Sequence, residues 1–97
     1  MEGKPMINVN EYFEGRIKSL GFELKGIPYT AGVLMPGDYI IATEKEEHIT
    51  ATVGEFEIRP PGSDWKTMTI GDTIVIPSNT SFELKLKEPA SYICMYR

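Results

Sequence analysis

Turn-forming residues recur about every 8–12 positions along this chain, and nothing between them carries the period of a helix. Pro36-Gly37, the Pro60-Pro61-Gly62 run, Gly71-Asp72 and Glu88-Pro89 are the plainest of these breaks. Only short strands fit in the intervals. The run Ser81–Lys87 alternates most clearly, with Phe82, Leu84 and Leu86 on one face and Glu83, Lys85 and Lys87 on the other. Ser91–Tyr96 likewise sets Tyr92, Cys94 and Tyr96 against Ile93 and Met95. About eight such strands, each with one face for a core and one for water, predict an all-β sandwich or barrel.

The 97 residues suffice for one domain, which would bury roughly 60–70% of its unfolded surface with no disulfide or metal staple. Gly3 and Pro5 mark residues 1–9 as a flexible arm, leaving 10–97 as the folded domain. A net charge of −4 argues against nucleic acid as a partner, because phosphate contacts need clustered Lys and Arg. No apolar run approaches the roughly 20 residues of a membrane helix, so no membrane partner is expected. One cysteine, Cys94, and no leader-like pattern after Met1 lead to the expectation of a reducing cytoplasm.

Taken in order, Arg16–Leu20 reads as a first strand ending at Gly21, docked to the body of the fold by Tyr12 and Phe13. Gly26, Pro28 and Gly32 interrupt the next segment. Met35–Asp38 is a turn and Tyr39–Thr43 a strand. The charged run Glu44–Glu47 reads as a solvated loop, and His48–Val53 and Glu55–Arg59 as a hairpin about Gly54, with Ile49, Ala51 and Val53 on one face. Asp64-Trp65 is placed at the rim beyond the proline loop. Gly71–Phe82, GDTIVIPSNTSF, is a turn, a strand and a strand end, and with Trp65–Ile70 before it and Ser81–Leu86 after it forms the middle of a meander.

That stretch carries a resemblance. Gly71 and Pro77, with five residues between them and followed by a tight turn into a new strand, resemble the second motif of the cupin superfamily of double-stranded β-helix (jelly-roll) barrels. Metal-binding cupins continue with a Gly and a His, where this chain has Asn79 and Phe82. Gly37 and Thr43 match the first motif in the same way, with Thr43 where a metal cupin places its first His. His48 is the single histidine, so a centre built on several imidazoles is not available, and no metal ligands are assigned.

More closely, Asn10–Phe22 (NEYFEGRIKSLGF), Gly37–Tyr39, Ser63–Trp65, Ile76-Pro77, Phe82, and EPASYIC with Tyr96 resemble the pyrimidine/purine nucleoside phosphorylase family of small bacterial cupins. These pieces run in order through nearly the whole chain. The resemblance implies phosphorolysis of purine and pyrimidine nucleosides to free base and pentose 1-phosphate. It implies no cofactor, with phosphate as co-substrate, and a homodimer. The chain departs from the family pattern at Met95, in place of an Arg, and at Asn79, in place of a His. The other reading left open is a non-catalytic, metal-free cupin that binds a small ligand or dimerises.

Breaking a C–N glycosidic bond passes through an oxocarbenium-like state, so negative charge or lone pairs belong near the ribose. Phosphate needs cations or backbone donors, and the departing base needs a proton or a hydrogen bond. Glu47 and Tyr92 are the candidate catalytic residues, Glu47 beside the ribose. Arg16 and Lys18, sharing a strand face, form a candidate phosphate clamp, although a solvated charged face gives the same pattern. Tyr39 and Thr43 are candidate sugar or phosphate contacts. Phe82 and Tyr96, with Tyr92, are candidate aromatic walls for a base, a role that core packing also explains. A pocket for phosphorolysis should be polar and concentrate positive charge; a purely structural barrel should be filled with apolar side chains.

Overall fold

The computed structural model describes residues 6–97, so the first five residues of the expected N-terminal arm lie outside the described residues. Ten strands follow one another with no helix among the described residues: β1 (Asn8–Tyr12), β2 (Ile17–Leu24), β3 (Ile27–Leu34), β4 (Gly37–Ala42), β5 (Glu47–Val53), β6 (Phe56–Arg59), β7 (Lys66–Met68), β8 (Thr73–Ile76), β9 (Ser81–Leu86) and β10 (Ala90–Tyr96). They form a six-stranded sheet, in the order β1-β2-β3-β10-β5-β8, and a four-stranded sheet, β4-β9-β6-β7. Every pairing is antiparallel.

Alternation decides what goes inside. On β2, Ile17 and Ser19 are buried while Lys18 and Leu20 are exposed; on β9, Phe82, Leu84 and Leu86 are buried against the opposite sheet. Ile49, Ala51, Phe56, Ile58, Met68 and Ile76 complete the core between the sheets. Cys94 is buried with them, and β10 carries Tyr92, Cys94 and Tyr96 inward as the sequence pattern required. No helix of the described residues is long and apolar enough to cross a membrane.

Several expectations are corrected. Pairing begins earlier than residue 10: Asn8 and Val9 stand opposite Gly21 and Leu20. The strand expected at Arg16–Leu20 starts instead at Ile17 and runs through Gly21 to Leu24, paired with β3 throughout and with β1 as far as Gly21. Gly26, with φ +80°, forms the turn into β3, but Pro28 and Gly32 do not break that strand. Pro28 sits at its second position, where a missing donor costs little, and Gly32 is needed for a side chain described below.

The hairpin about Gly54 does not form. β5 pairs with β10 and β8, whereas β6 pairs with β7 and β9. Gly54, at φ +74°, is the corner at which the chain leaves one sheet for the other, and Val53 beside it is exposed, unlike Ile49 and Ala51. A Cβ on Gly54 would also stand 2.8 Å from the Pro89 carbonyl oxygen. The meander fails for the same reason: β7 and β9 belong to the smaller sheet and β8 to the larger. Short strands separated by strong turns suit a chain that crosses the sandwich repeatedly as well as one that folds back on its neighbour.

Candidate functional site

The two sheets are not packed shut. A cavity of about 530 Å³ lies between them. Its deep walls are apolar and buried, from Ile17, Leu34, Ile49, Phe56, Phe82 and Leu84. Glu47 opens β5, and Tyr92 and Tyr96 lie on the neighbouring β10; together with Ser19 of β2 they make one polar side. Around the mouth stand more exposed residues: Tyr12, Phe13, Ile40, Ala42, Glu44 and Lys45.

Burial shifts the titration of the groups on the polar side. The Cys94 thiol donates to Glu47 Oε1 at 3.6 Å. Burial raises the Glu47 carboxyl above the ordinary carboxylate range, the thiol hydrogen bond opposing that only in part. The Cys94 thiol is pushed up to about 12 by burial and by the Glu47 charge. Tyr92 is pushed up to about 12, chiefly by burial, with the Ser19 and Thr30 hydroxyls beside it pulling the other way. Tyr96 is raised by burial as well, and its hydroxyl meets Thr30 Oγ1 at 3.0 Å. At neutral pH the phenols and the thiol are therefore hydrogen-bond donors.

Tyr92 reaches its position through Gly32. The two residues are opposite each other on β10 and β3, and a Cβ on Gly32 would clash with the Tyr92 ring and its hydroxyl. Gly32 is thus a glycine of close approach, not a strand break.

Of the expected site residues, the fold brings Glu47, Phe82, Tyr92 and Tyr96 to the cavity and leaves Arg16, Lys18, Tyr39 and Thr43 off its lining. Lys18 points to solvent from the outer face of β2 and pairs with Glu11 at 3.2 Å. Arg16 precedes the strand; its Nε donates to the Phe13 carbonyl at 3.3 Å and its guanidinium lies 5.5 Å over the Tyr39 ring. Arg16 and Lys18 therefore do not share a strand face, and each is engaged elsewhere. Tyr39 is buried and donates to the Met35 carbonyl at 2.7 Å. Thr43 is a clasp: Oγ1 donates to the Pro77 carbonyl at 2.8 Å and accepts from the Thr80 N–H at 3.0 Å. Its hydroxyl is fully engaged in fastening β4 to the loop before β9.

Trp65 lies away from the cavity, with the Arg59 guanidinium 5.2 Å and the Lys85 ammonium 4.7 Å from its ring. Sequence reasoning missed Lys45, the one cation on the described lining, because it sits inside a charged run that reads as a solvated loop. It also gave Tyr12 and Phe13 a docking role alone. Neither departure from the family pattern borders the cavity: Met95 points outward from β10, opposite His48 and Tyr29, and Asn79 is an exposed turn residue at φ +55°, a conformation that suits Asn. His48 pairs with Glu46 at 2.7 Å, off the lining.

Comparison with known proteins bears on the fold and the family. Solved structures that resemble the chain include a protein of unknown function from Vibrio parahaemolyticus, at 36% identity and a TM-score of 0.91, with 95% of this chain and 99% of that one covered. An RmlC-like cupin from Shewanella frigidimarina, at 16% identity and a TM-score of 0.75 over 93% of this chain and 82% of that one, shows the fold: a cupin. The pyrimidine/purine nucleoside phosphorylase of Photobacterium profundum is 40% identical over 92 residues, covering 94% of this chain and 99% of the relative. That of Pectobacterium carotovorum is 42% identical over 93 residues, covering 94% and 99%. With the family's sequence pattern matching residues 7–96, the chain belongs to the pyrimidine/purine nucleoside phosphorylase family.

Proposed function

We propose that the chain is a nucleoside phosphorylase acting on purine and pyrimidine nucleosides, with the reaction inside the barrel cavity. The observation that carries this is Glu47, a carboxyl held above the ordinary range by burial, beside the neutral donors Tyr92 and Tyr96 in an open cavity with aromatic walls. Phosphate oxygen attacks the anomeric carbon as the C–N bond breaks, and its electron pair leaves with the base nitrogen. In its protonated form, which the raised pKa favours, Glu47 gives that nitrogen its proton and regains one from the incoming hydrogen phosphate, so protons balance. Tyr92 holds ribose or phosphate oxygens as a donor. Lys45 at the mouth supplies the positive charge that Arg16 and Lys18 were expected to supply. We keep the reading of phosphate as co-substrate with no cofactor, and of a cytoplasmic protein.

The test is phosphate-dependent release of free base from uridine, inosine, adenosine and guanosine, followed by chromatography beside a phosphate-free control. Base appearing only with phosphate supports the reading; no release from folded protein overturns it. Lys45→Ala should raise the phosphate KM by about tenfold or less, since one exposed charged hydrogen bond is lost.

A second reading is favoured by one observation: the lining is largely apolar, and Lys45 is opposed by Glu44 and Glu47. A site for phosphate was expected to gather more positive charge. A small-ligand-binding cupin without turnover fits that balance, and the same assay separates the two. The homodimer remains a proposal as well. Its seat would be the outer face of the larger sheet, where Leu20, Ala31 and Ile93 form one cross-strand row and Phe22, Tyr29 and Met95 the next. Leu20, Phe22 and Val33 are exposed there, an apolar surface of the kind that marks contacts between proteins. Sedimentation of the wild type and of Leu20→Lys checks it.

A further inference from the structure

The turn joining β1 to β2 places three residues in succession in the left-handed region: Phe13 at φ +54°, Glu14 at +56° and Gly15 at +86°. Gly15 is at ease there, but for an aromatic side chain that backbone is an outlier and persists only where its surroundings impose it. The imposing contacts are visible. Gly15 N–H donates to the Tyr12 carbonyl at 3.1 Å, and Arg16 holds the Phe13 carbonyl with both its N–H, at 3.2 Å, and its Nε, at 3.3 Å. The Phe13 ring rests on Tyr39 at 4.9 Å between centroids, tilted by 53°. The Arg16 guanidinium lies over the same Tyr39 ring, and Tyr39 is itself anchored through its hydroxyl.

This assembly spends its contacts on one outcome. Tyr39 and Arg16 do not line the cavity, but Phe13 does, and it remains 37% exposed at the mouth. The Phe13 ring is held on a rigid support at the mouth of the cavity. We infer that Phe13 is the stacking wall for the planar heterocycle of the ligand, and that Arg16 is the positioning residue that holds it there through the left-handed turn. The inference deepens the phosphorylase reading and rests on it for the class of ligand: a compound with a purine or pyrimidine ring at the mouth and its sugar turned toward Glu47.

The test is calorimetric titration of the protein with adenine, which has the ring alone, and with ribose 1-phosphate, which lacks it. Phe13→Asn removes the ring while keeping a residue that tolerates the left-handed turn; Phe13→Tyr keeps the ring. Phe13→Asn should weaken adenine binding about tenfold and leave ribose 1-phosphate unchanged, since one base–aromatic stack is worth that much or more. Phe13→Tyr should bind adenine as the wild type does. Arg16→Ala should reproduce the selective loss in smaller measure. Adenine binding unaltered in Phe13→Asn overturns the inference, as does an equal loss for both probes or a wild type that binds no adenine. The base-release assay stands apart from these outcomes. Adenine held through Phe13 by a protein that releases no base keeps this inference and sinks the phosphorylase; turnover with a Phe13→Asn variant of unaltered adenine affinity does the reverse.

Discussion

The floor and the mouth of the cavity are built by opposite means. The floor comes from strands paired on both sides, β5 and β10, and its groups are fixed by burial: Cys94 is 1% exposed, and it donates to Glu47. The mouth comes from the edge strands β1 and β4 and the connections beside them, and its residues are exposed. Chemistry that depends on a displaced pKa belongs where water is excluded, and recognition belongs where a ligand first arrives. The difference teaches that one small barrel can separate the two tasks along its depth.

The sharpest way to break that division is Glu47→Gln, which keeps the shape and the contact from Cys94 but removes the acid. Phosphorolysis should fall by about 10²- to 10⁴-fold, read as base release, with the fold intact by circular dichroism. The same substitution has a signature in stability. Folding raises the Glu47 pKa, so the native state holds that proton more tightly than the unfolded chain. The stability it contributes is full below the ordinary value near 4.5 and is lost as pH rises through the raised value. Urea midpoints measured across that window should decline in the wild type and lose this component of the slope in Glu47→Gln.

Gly32→Ala strikes the floor through packing. The added methyl meets the Tyr92 ring, and overfilling of this kind costs about 1–3 kcal/mol in thermal or urea unfolding. In a Tyr92→Ala background the cost should shrink, and a cost that persists would place the conflict elsewhere. At the end of β4, Thr43→Val removes the clasp and leaves the Thr80 N–H and Pro77 carbonyl short of a partner, a loss of about 1–2 kcal/mol. Last and smallest, Lys18→Ala should change neither stability by more than about 0.5 kcal/mol nor base release, because its pair with Glu11 is exposed. A large effect there would restore the phosphate clamp on β2.

What could be read from the sequence was whatever alternation alone decides. The inward set Phe82, Leu84 and Leu86, and Tyr92, Cys94 and Tyr96 on β10, follow from a period of two, and they deliver three of the eight expected site residues, Phe82, Tyr92 and Tyr96, to the cavity. Partners of a strand do not follow from it, because β5 and β6 are adjacent in the chain yet belong to different sheets. Gly54 gives the same local signal for a hairpin and for a corner. Arg16 and Lys18 alternate in the text, but a strand that begins at Ile17 leaves Arg16 in a turn, bound to Phe13. Lys45 was hidden for another reason: charge runs look alike whether they border solvent or a cavity.

The β4–β5 connection carries a further consequence. Thr43 binds the Thr80 carbonyl through its own N–H at 2.8 Å, and Glu46 exchanges two backbone hydrogen bonds with Arg97, at 3.1 and 2.9 Å. Between these two anchors lie Glu44 and Lys45 alone. Fixing a residue's backbone removes about 1–2 kcal/mol of conformational entropy, and for this pair that loss falls on folding, before any anion arrives. On the phosphorylase proposal, a phosphate met by Lys45 would have only the side chain left to order, so grip at the mouth would be preorganised even though its ammonium stands in water.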